Sequence, residues 1–518
     1  MTFEPVHQHD DRPYEWVSSL GQRRATLTPD APAVTDLHEE RTWTYAELDA
    51  MSNRCARLLE DADVSAGDRI AVISRNRIEV VELFFAAMKR GAILAPLSHR
   101  LAPPELAELL DLVGPQMLIF EDRFEELVDL DTVDAQPYRL TDSSESEPVI
   151  PSYTKALSDD DSTVESTHRA LSDPILLLHT GGSTGTPKEV VITYGSMLWN
   201  SLNTITGWGL RPDDVTPMVF PFFHTGGWNV LTLPFFHHGG HVLIDRLVDP
   251  VQILETIDSH DASILVAVPT VLRSMVDHDS FESADLSSLR LVKSGGGPCR
   301  EEVIDAWRKR GIDISQGYGL TECGPNNFGM PPEGGVERPD SIGLPMPHVD
   351  ARIVDDDGQV VPEGSIGELE LASPHAADRY WQNESETQET FGDGWVSTGD
   401  LAYSEDGFFY IEGRKKHMFV SGGENVYPGE VEAAIAEHPG VDEVVVLGVP
   451  DDEWGEVGHA IIEGDQTLQL SDLRTFLDGR LARFKHPHHL DIVAEMPTSG
   501  PDKIDRQTLR DRVSGTNR

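Results

Sequence analysis

Residues Arg69–Pro96 read RIAVISRNRIEVVELFFAAMKRGAILAP. Arg69 to Ser74 is an apolar run of strand length, Val80 to Arg90 places apolar side chains at helical spacing, and Ala92 to Pro96 is a second apolar run. Strand, helix, strand in so short a stretch is a βαβ unit, which predicts a mostly parallel sheet with helices on its faces. Upstream, Thr44 to Ala62 is predicted helical, with Leu48, Met51, Cys55 and Leu58 three or four residues apart. Downstream, Thr141 to Asp173 turns rich in Ser, Asp and Glu and reads as a solvated loop or linker. Pro174 to Leu178 resumes as a strand, and further βα units follow to about residue 300. Asp350 to Leu371 carries alternating strands with Gly-rich turns. After Gly413 the pattern shortens into a separate unit, with a helix from Pro428 to His438, the strand VDEVVVLGVP and a helix from Asp472 to Leu481. A chain of 518 residues exceeds what one core absorbs, so at least two domains of α/β class are expected.

Composition narrows the function classes. Hydrophobic residues at 39% and charged residues at 25% are a globular mix and exclude a wholly disordered chain. No apolar run reaches the roughly 18 to 20 residues of a membrane span, and MTFEPVHQHDDRPYEW lacks the basic start and greasy core of a secretory signal. The three cysteines, Cys55, Cys299 and Cys323, are scattered without metal-ligand spacing, as expected in a reducing, cytoplasmic compartment. Asp plus Glu number 89 against 41 Lys plus Arg, a net charge of −48, and only nine of the cations are lysine. Such a surface repels nucleic acid and anionic lipid. Because the acids are spread along the whole chain, they point to adaptation to a high-salt cytoplasm more than to one basic partner.

The strongest chemical signal is HTGGSTGTPKEV, His179 to Val190, directly after a strand. Glycines and small hydroxyl residues there present N–H and O–H donors to phosphate oxygens, with Lys188 adding charge. It is not the GTPase-type loop, because Gly185 is followed by Thr186, Pro187 and Lys188 instead of directly by Lys. Alone, it reads equally well as a flexible turn. It is followed, however, by FPFFHTGG (Phe220 to Gly227), SGGGP (Ser294 to Pro298), GYGLTE (Gly317 to Glu322), STGD (Ser397 to Asp400), GRKKH (Gly413 to His417), SGGENVYPGEVE (Ser421 to Glu432) and PDKIDR (Pro501 to Arg506). In order, identity and spacing these segments resemble the adenylate-forming superfamily of acyl-CoA synthetases, luciferases and adenylation domains, over about residues 15 to 510.

The resemblance implies a large N-terminal domain of α/β subdomains with a β-rich subdomain, residues 1–413, a hinge at 414–417, and a small mobile α+β C-terminal domain, 418–518. It implies an AMP-forming carboxylate–CoA ligase using ATP, Mg²⁺ and coenzyme A, acting on a small-molecule carboxylic acid; it allows a homodimer. Thr180, Gly181, Gly182, Ser183, Thr184 and Gly185 would hold the β- and γ-phosphates, with Lys188 close by. Thr321 would contact the α-phosphate and Glu322 would hold Mg²⁺. Tyr318, followed by Gly319, would stack on adenine, whose edge is read by Gly295, Gly296 and Gly297. Asp400 and Arg414 would hold the ribose. His224 would sit at the mouth of the acid pocket. Trp228, if it faces inward, would shorten that pocket and favour a medium-chain, branched or aryl acid; core packing is its other reading.

Lys503 is the expected catalytic cation, placed between carboxylate and α-phosphate. Relatives usually carry Gly directly before it, whereas here the run is Ser499-Gly500-Pro501-Asp502-Lys503, so Asp502 sits beside the ammonium. For thioester formation the C-terminal domain would turn about Lys416 and bring up the loop of Gly422 and Gly423, whose glycines leave room for a pantetheine arm. His417 stands where relatives often carry Asp. FKHPHH, Phe484 to His489, reads as a strand-leading loop in preference to a metal site. The rival readings are an enzyme loading a carrier protein, a nucleotide sensor without chemistry and, more remotely, a luciferase-type oxidase.

Overall fold

A computed structural model describes residues 12–141, 150–180, 188–331, 337–421, 424–451, 454–498 and 504–516. The chain forms two compact units, residues 1–351 with 371–398, and residues 352–370 with 399–518. The second unit thus takes in segments 352–370 and 399–413, which the hinge-based division assigns to the N-terminal domain.

In the first unit the opening βαβ unit forms as read. Strand Arg69–Ile73 lies parallel to strand Ile93–Leu97, register Arg69↔Ile93 to Ile73↔Leu97. The helix between them spans Ile78–Arg90 and stops at Gly91, whose φ of 72° is the left-handed turn that favours glycine. These strands belong to a six-stranded sheet in the order 136–140, 117–121, 69–73, 93–97, 174–180, 188–193. Only its last pair, Pro174–Thr180 with Lys188–Thr193, is antiparallel. Helix Tyr45–Asp61 packs beside helix Ile78–Arg90 and starts at a capping box, Thr44 and Glu47 bonding each other's backbone N–H.

Segment 150–173 is largely the solvated loop expected, with 159–163 exposed, but it is anchored at a few points. Ile150, Tyr153, Leu157 and Ala170 are buried, Tyr153–Ala156 is a helical turn, and the Tyr153 hydroxyl meets Cys55 Sγ at 2.6 Å. The few apolar residues of a polar stretch suffice to pin it on the core, because each buried aromatic contributes a few kcal/mol. Segment 142–149 lies outside the described residues.

A second sheet orders strands 41–44, 32–36, 241–244, 215–217, and a third, fully parallel, orders 264–267, 291–294, 314–316. Helices Pro250–His260, Pro269–Val276 and Glu301–Lys309 cover the third sheet around Leu254, Leu272 and Trp307.

The second unit holds most of the four-stranded sheet 350–354, 367–372, 396–405, 408–414 and a five-stranded sheet built on the long hairpin Val441–Asp451 and Gly455–Gly464. Alternation along Val444–Val449 gives that hairpin two apolar faces, one packed with Val431, Ile435 and Leu473, the other with Leu509 and Val513. The turn Arg483–Lys485 leads into strand His489–Val493, the strand-leading loop expected of FKHPHH.

Candidate active site

Parallel strands present their carboxyl ends at one edge, where chain crossings open a crevice for ligands. In the third sheet, strand Leu291–Ser294 runs into Gly295–Gly297 and strand Ile314–Gln316 into Gly317–Gly319. The two loops are tied together, since Gly317 N donates to Ser294 O at 2.7 Å and Gly295 N to Ala267 O at 3.1 Å. A side chain on Gly295 would meet nothing within 4 Å, so its backbone faces open space that a flat ring can enter. Gly319 is needed for another reason: its Cβ would fall 2.2 Å from Pro325 O, where the chain doubles back. Tyr318 sits edge-on to Phe328, ring centroids 5.8 Å apart, and its carbonyl accepts from Asn327 N.

Thr321 and Glu322 follow at once. Tyr380 donates its hydroxyl to Glu322 Oε1 at 2.9 Å, and Ala377 N donates to the Glu322 carbonyl. Burial, and then the Glu322 charge, push the Tyr380 hydroxyl far above its ordinary range, so it stays a donor at every working pH. Lys188, opposite Thr180 in the antiparallel strand pair, is paired with Glu386 and lies 5.3 Å from the centre of the Tyr380 ring. Lys188, Tyr380 and Glu322 therefore form one series. Tyr380 and Glu386 belong to no sequence motif. Beneath Lys188, Glu189 is fully buried with its carboxylate 3.7 Å from His179 Nδ1, and burial raises its pKa.

His224 lies half-buried in the turn after the second sheet's strand Val215–Pro217, its ring 4.8 Å from that of Phe223. Phe223 meets the edge of His99, which stacks on Phe124. Burial, with Arg100 next, holds His99 down to about 4, so this aromatic group is neutral. Trp228 corrects the pocket expectation. It has no exposed surface, packs between Phe84 and Phe222, and donates its indole N–H to Phe222 O at 2.6 Å. An indole in an apolar run fits a pocket wall or a core equally well by sequence; here the helix Ile78–Arg90 supplies Phe84 to cover it.

In the second unit Asp400 and Arg414 face each other across the antiparallel strands Val396–Glu405 and Phe408–Arg414, Arg414 Nε 2.7 Å from Asp400 Oδ1. Neither a helix nor a loop is involved: the register alone brings the two ribose-binding candidates together. Glu368 accepts from Gly399 N at 3.2 Å and from Lys415 Nζ at 3.0 Å, and Lys415 also reaches Asp356 at 2.9 Å. Glu368 and Asp356 are further residues that no motif announced. Lys416 occupies the turn Lys415–His417. Burial, then Arg506 and Lys416, drive His417 down to about 3, so a neutral imidazole stands there amid cations. Lys503, Gly181, Gly182, Ser183, Thr184, Gly185, Gly422 and Gly423 lie outside the described residues.

Comparison with known proteins agrees in both halves of the chain. The "AMP-binding enzyme" family profile matches residues 21–381, and the "AMP-binding enzyme C-terminal domain" profile matches 430–503. A feruloyl-CoA synthase of Amycolatopsis sp is 34% identical over 95% of this chain and 97% of its own. An indoleacetate–CoA ligase of Aromatoleum aromaticum is 32% identical over 96% and 98%. The ATP-bound crystal structure of MatB from Rhodopseudomonas palustris superposes with a TM-score of 0.89, at 27% identity, over 97% of this chain and 100% of that one.

Proposed function

The chain belongs to the AMP-binding enzyme family, and from that membership we propose the residue roles and the acid class below. The reaction is AMP-forming carboxylate–CoA ligation with ATP, Mg²⁺ and CoA. A carboxylate attacks the α-phosphate of ATP, giving acyl-adenylate and pyrophosphate, and the CoA thiol then displaces AMP.

The observation that carries our assignment is Glu322 held by Tyr380 beside Thr321. With one oxygen fixed by a hydroxyl that burial keeps protonated, the carboxylate is pre-oriented, which suits a hard cation that takes oxygen ligands. Glu322 would hold the magnesium, which supplies charge neutralisation at the phosphate oxygens. Thr321 donates to the α-phosphate. The Gly295–Gly297 and Tyr318 loops receive adenine, and Asp400, fixed by Arg414, accepts from the ribose hydroxyls. His224 orients the acid. Lys503 neutralises the attacking carboxylate, and turning about Lys416 replaces it with the Gly422–Gly423 face for thioester formation.

We read the acid as aromatic, a reading supported by the feruloyl-CoA and indoleacetate–CoA relatives and by the neutral group of Phe223, His99 and Phe124 beside His224. Three free, buried cysteines, Cys55, Cys299 and Cys323, support a cytoplasmic setting. Among the described residues no helix is long and apolar enough to cross a membrane.

The test measures pyrophosphate release from ferulate, indole-3-acetate, benzoate and octanoate, at molar KCl, with and without CoA. Aromatic acids are expected to lead, with CoA thioester formed only when CoA is present. In Lys503→Ala, adenylation should be lost while thioester formation from supplied acyl-adenylate persists; equal loss of both steps overturns the two-state scheme.

A further inference from the structure

We propose that Asn76 is a positioning residue for the carboxylic acid, because it clamps the backbone of the turn that carries His224. The proposal rests on the reading of that turn as the acid site. Asn76 leaves the end of strand Arg69–Ile73 in the six-stranded sheet, whereas the turn follows strand Val215–Pro217 of the second sheet. Its side chain spans the gap between them. Nδ2 donates to Phe220 O at 3.1 Å, and Oδ1 accepts from Phe222 N at 2.9 Å. One amide thus satisfies a carbonyl and an N–H two residues apart, which fixes both the position and the pitch of the chain entering His224.

Asn76 is itself seated. Arg246 Nη1 donates to the Asn76 carbonyl at 3.1 Å and to Asp36 Oδ2 at 2.6 Å. Arg246 and Asn76 are about nineteen-twentieths buried and Asp36 entirely so, in a setting where each of these bonds is strong. The far side of the turn is held as firmly. Trp228 Nε1 donates to Phe222 O, His224 N to Pro221 O, and Gly227 N to His224 O. A side chain at Gly227 would lie 2.3 Å from Pro221 O, so the turn has no slack there. Trp228, set aside above as a pocket wall, is thereby a strut of the same turn.

The bonds of Asn76 to Phe220 and Phe222, and the longer contact of its Nδ2 with Met218 Sδ at 4.0 Å, all end on the approach to His224, and none closes a helix or a sheet ladder. Its removal therefore loosens the placement of His224 more than the fold around it, and small misplacements of a substrate-orienting group are costly. The test compares Asn76→Ala, Trp228→Phe and His224→Ala, using the acid of the four-member panel with the fastest pyrophosphate release. Asn76→Ala is expected to raise the KM for the acid about tenfold while the KM for ATP stays within about twofold. Trp228→Phe, which keeps an aromatic side chain but deletes the indole N–H together with one of its two rings, should shift the same constant in the same direction by less. A wild-type acid KM in Asn76→Ala overturns the proposal, as does an equal rise in both KM values. Should Asn76→Ala fail to fold, an unchanged acid KM in Trp228→Phe overturns it instead. An unchanged acid KM in His224→Ala sinks the acid-site reading itself, whereas His224→Ala raised beside an unaltered Asn76→Ala sinks only the clamp.

Discussion

Glu322 is legible in sequence as an acid after GYGLT, but what makes it useful is Tyr380, 58 positions away. The pair has a direct consequence. Tyr380→Phe removes one O–H and keeps the ring, so folding should survive while pyrophosphate release falls roughly tenfold and half-saturation moves to higher magnesium. A magnesium titration of both proteins measures this; unchanged saturation would leave Tyr380 a packing residue. Trp228 gives the opposite lesson. Its chemistry invited a pocket role, and two neighbours, Phe84 and Phe222, decided for the core.

Helix Ile78–Arg90 shows how an element read correctly from periodicity can carry a feature periodicity hides. Its Glu82 is buried, and burial, with Glu79 next, lifts its pKa to about 8. In the unfolded chain that carboxyl titrates near its ordinary value of 4.5. Between these values the folded protein binds the extra proton, so stability is complete below the lower value and declines as pH rises towards the upper one. The loss approaches about 1.4 kcal/mol per pH unit across that window. Glu82→Gln should flatten the dependence and show the higher Tm at pH 9, with little difference at pH 4; parallel melting curves at all pH values would refute the burial argument. The strand pair Val396–Glu405 and Phe408–Arg414 is the contrary case, where register alone assembles Asp400 with Arg414.

Taken entire, the chain carries −48 charges over 518 residues, with acids in both units. Self-repulsion of that size favours expansion in dilute buffer and is screened when the Debye length shrinks to about 3 Å near 1 M salt. Tm and pyrophosphate release should both rise between 0.1 and about 2 M KCl. Full activity and an unchanged Tm without salt would remove the high-salt reading and leave the enzymatic one intact.

Composition and the βαβ rhythm were enough to establish the α/β class and more than one domain, while the family chemistry was legible only through the resemblance carried by the ordered glycine- and hydroxyl-rich motifs. These are local properties: strand and helix periods, and turns that tolerate only glycine, are written within a few residues of each other. Partnership is not local. Tyr380 with Glu322, Asn76 with Phe220 and Phe222, Glu368 with Lys415, and Tyr153 with Cys55 each join stretches that the chain separates widely. Which hydroxyl meets which carboxylate depends on how sheets and helices pack, and packing sums many weak contacts that no short window of residues contains.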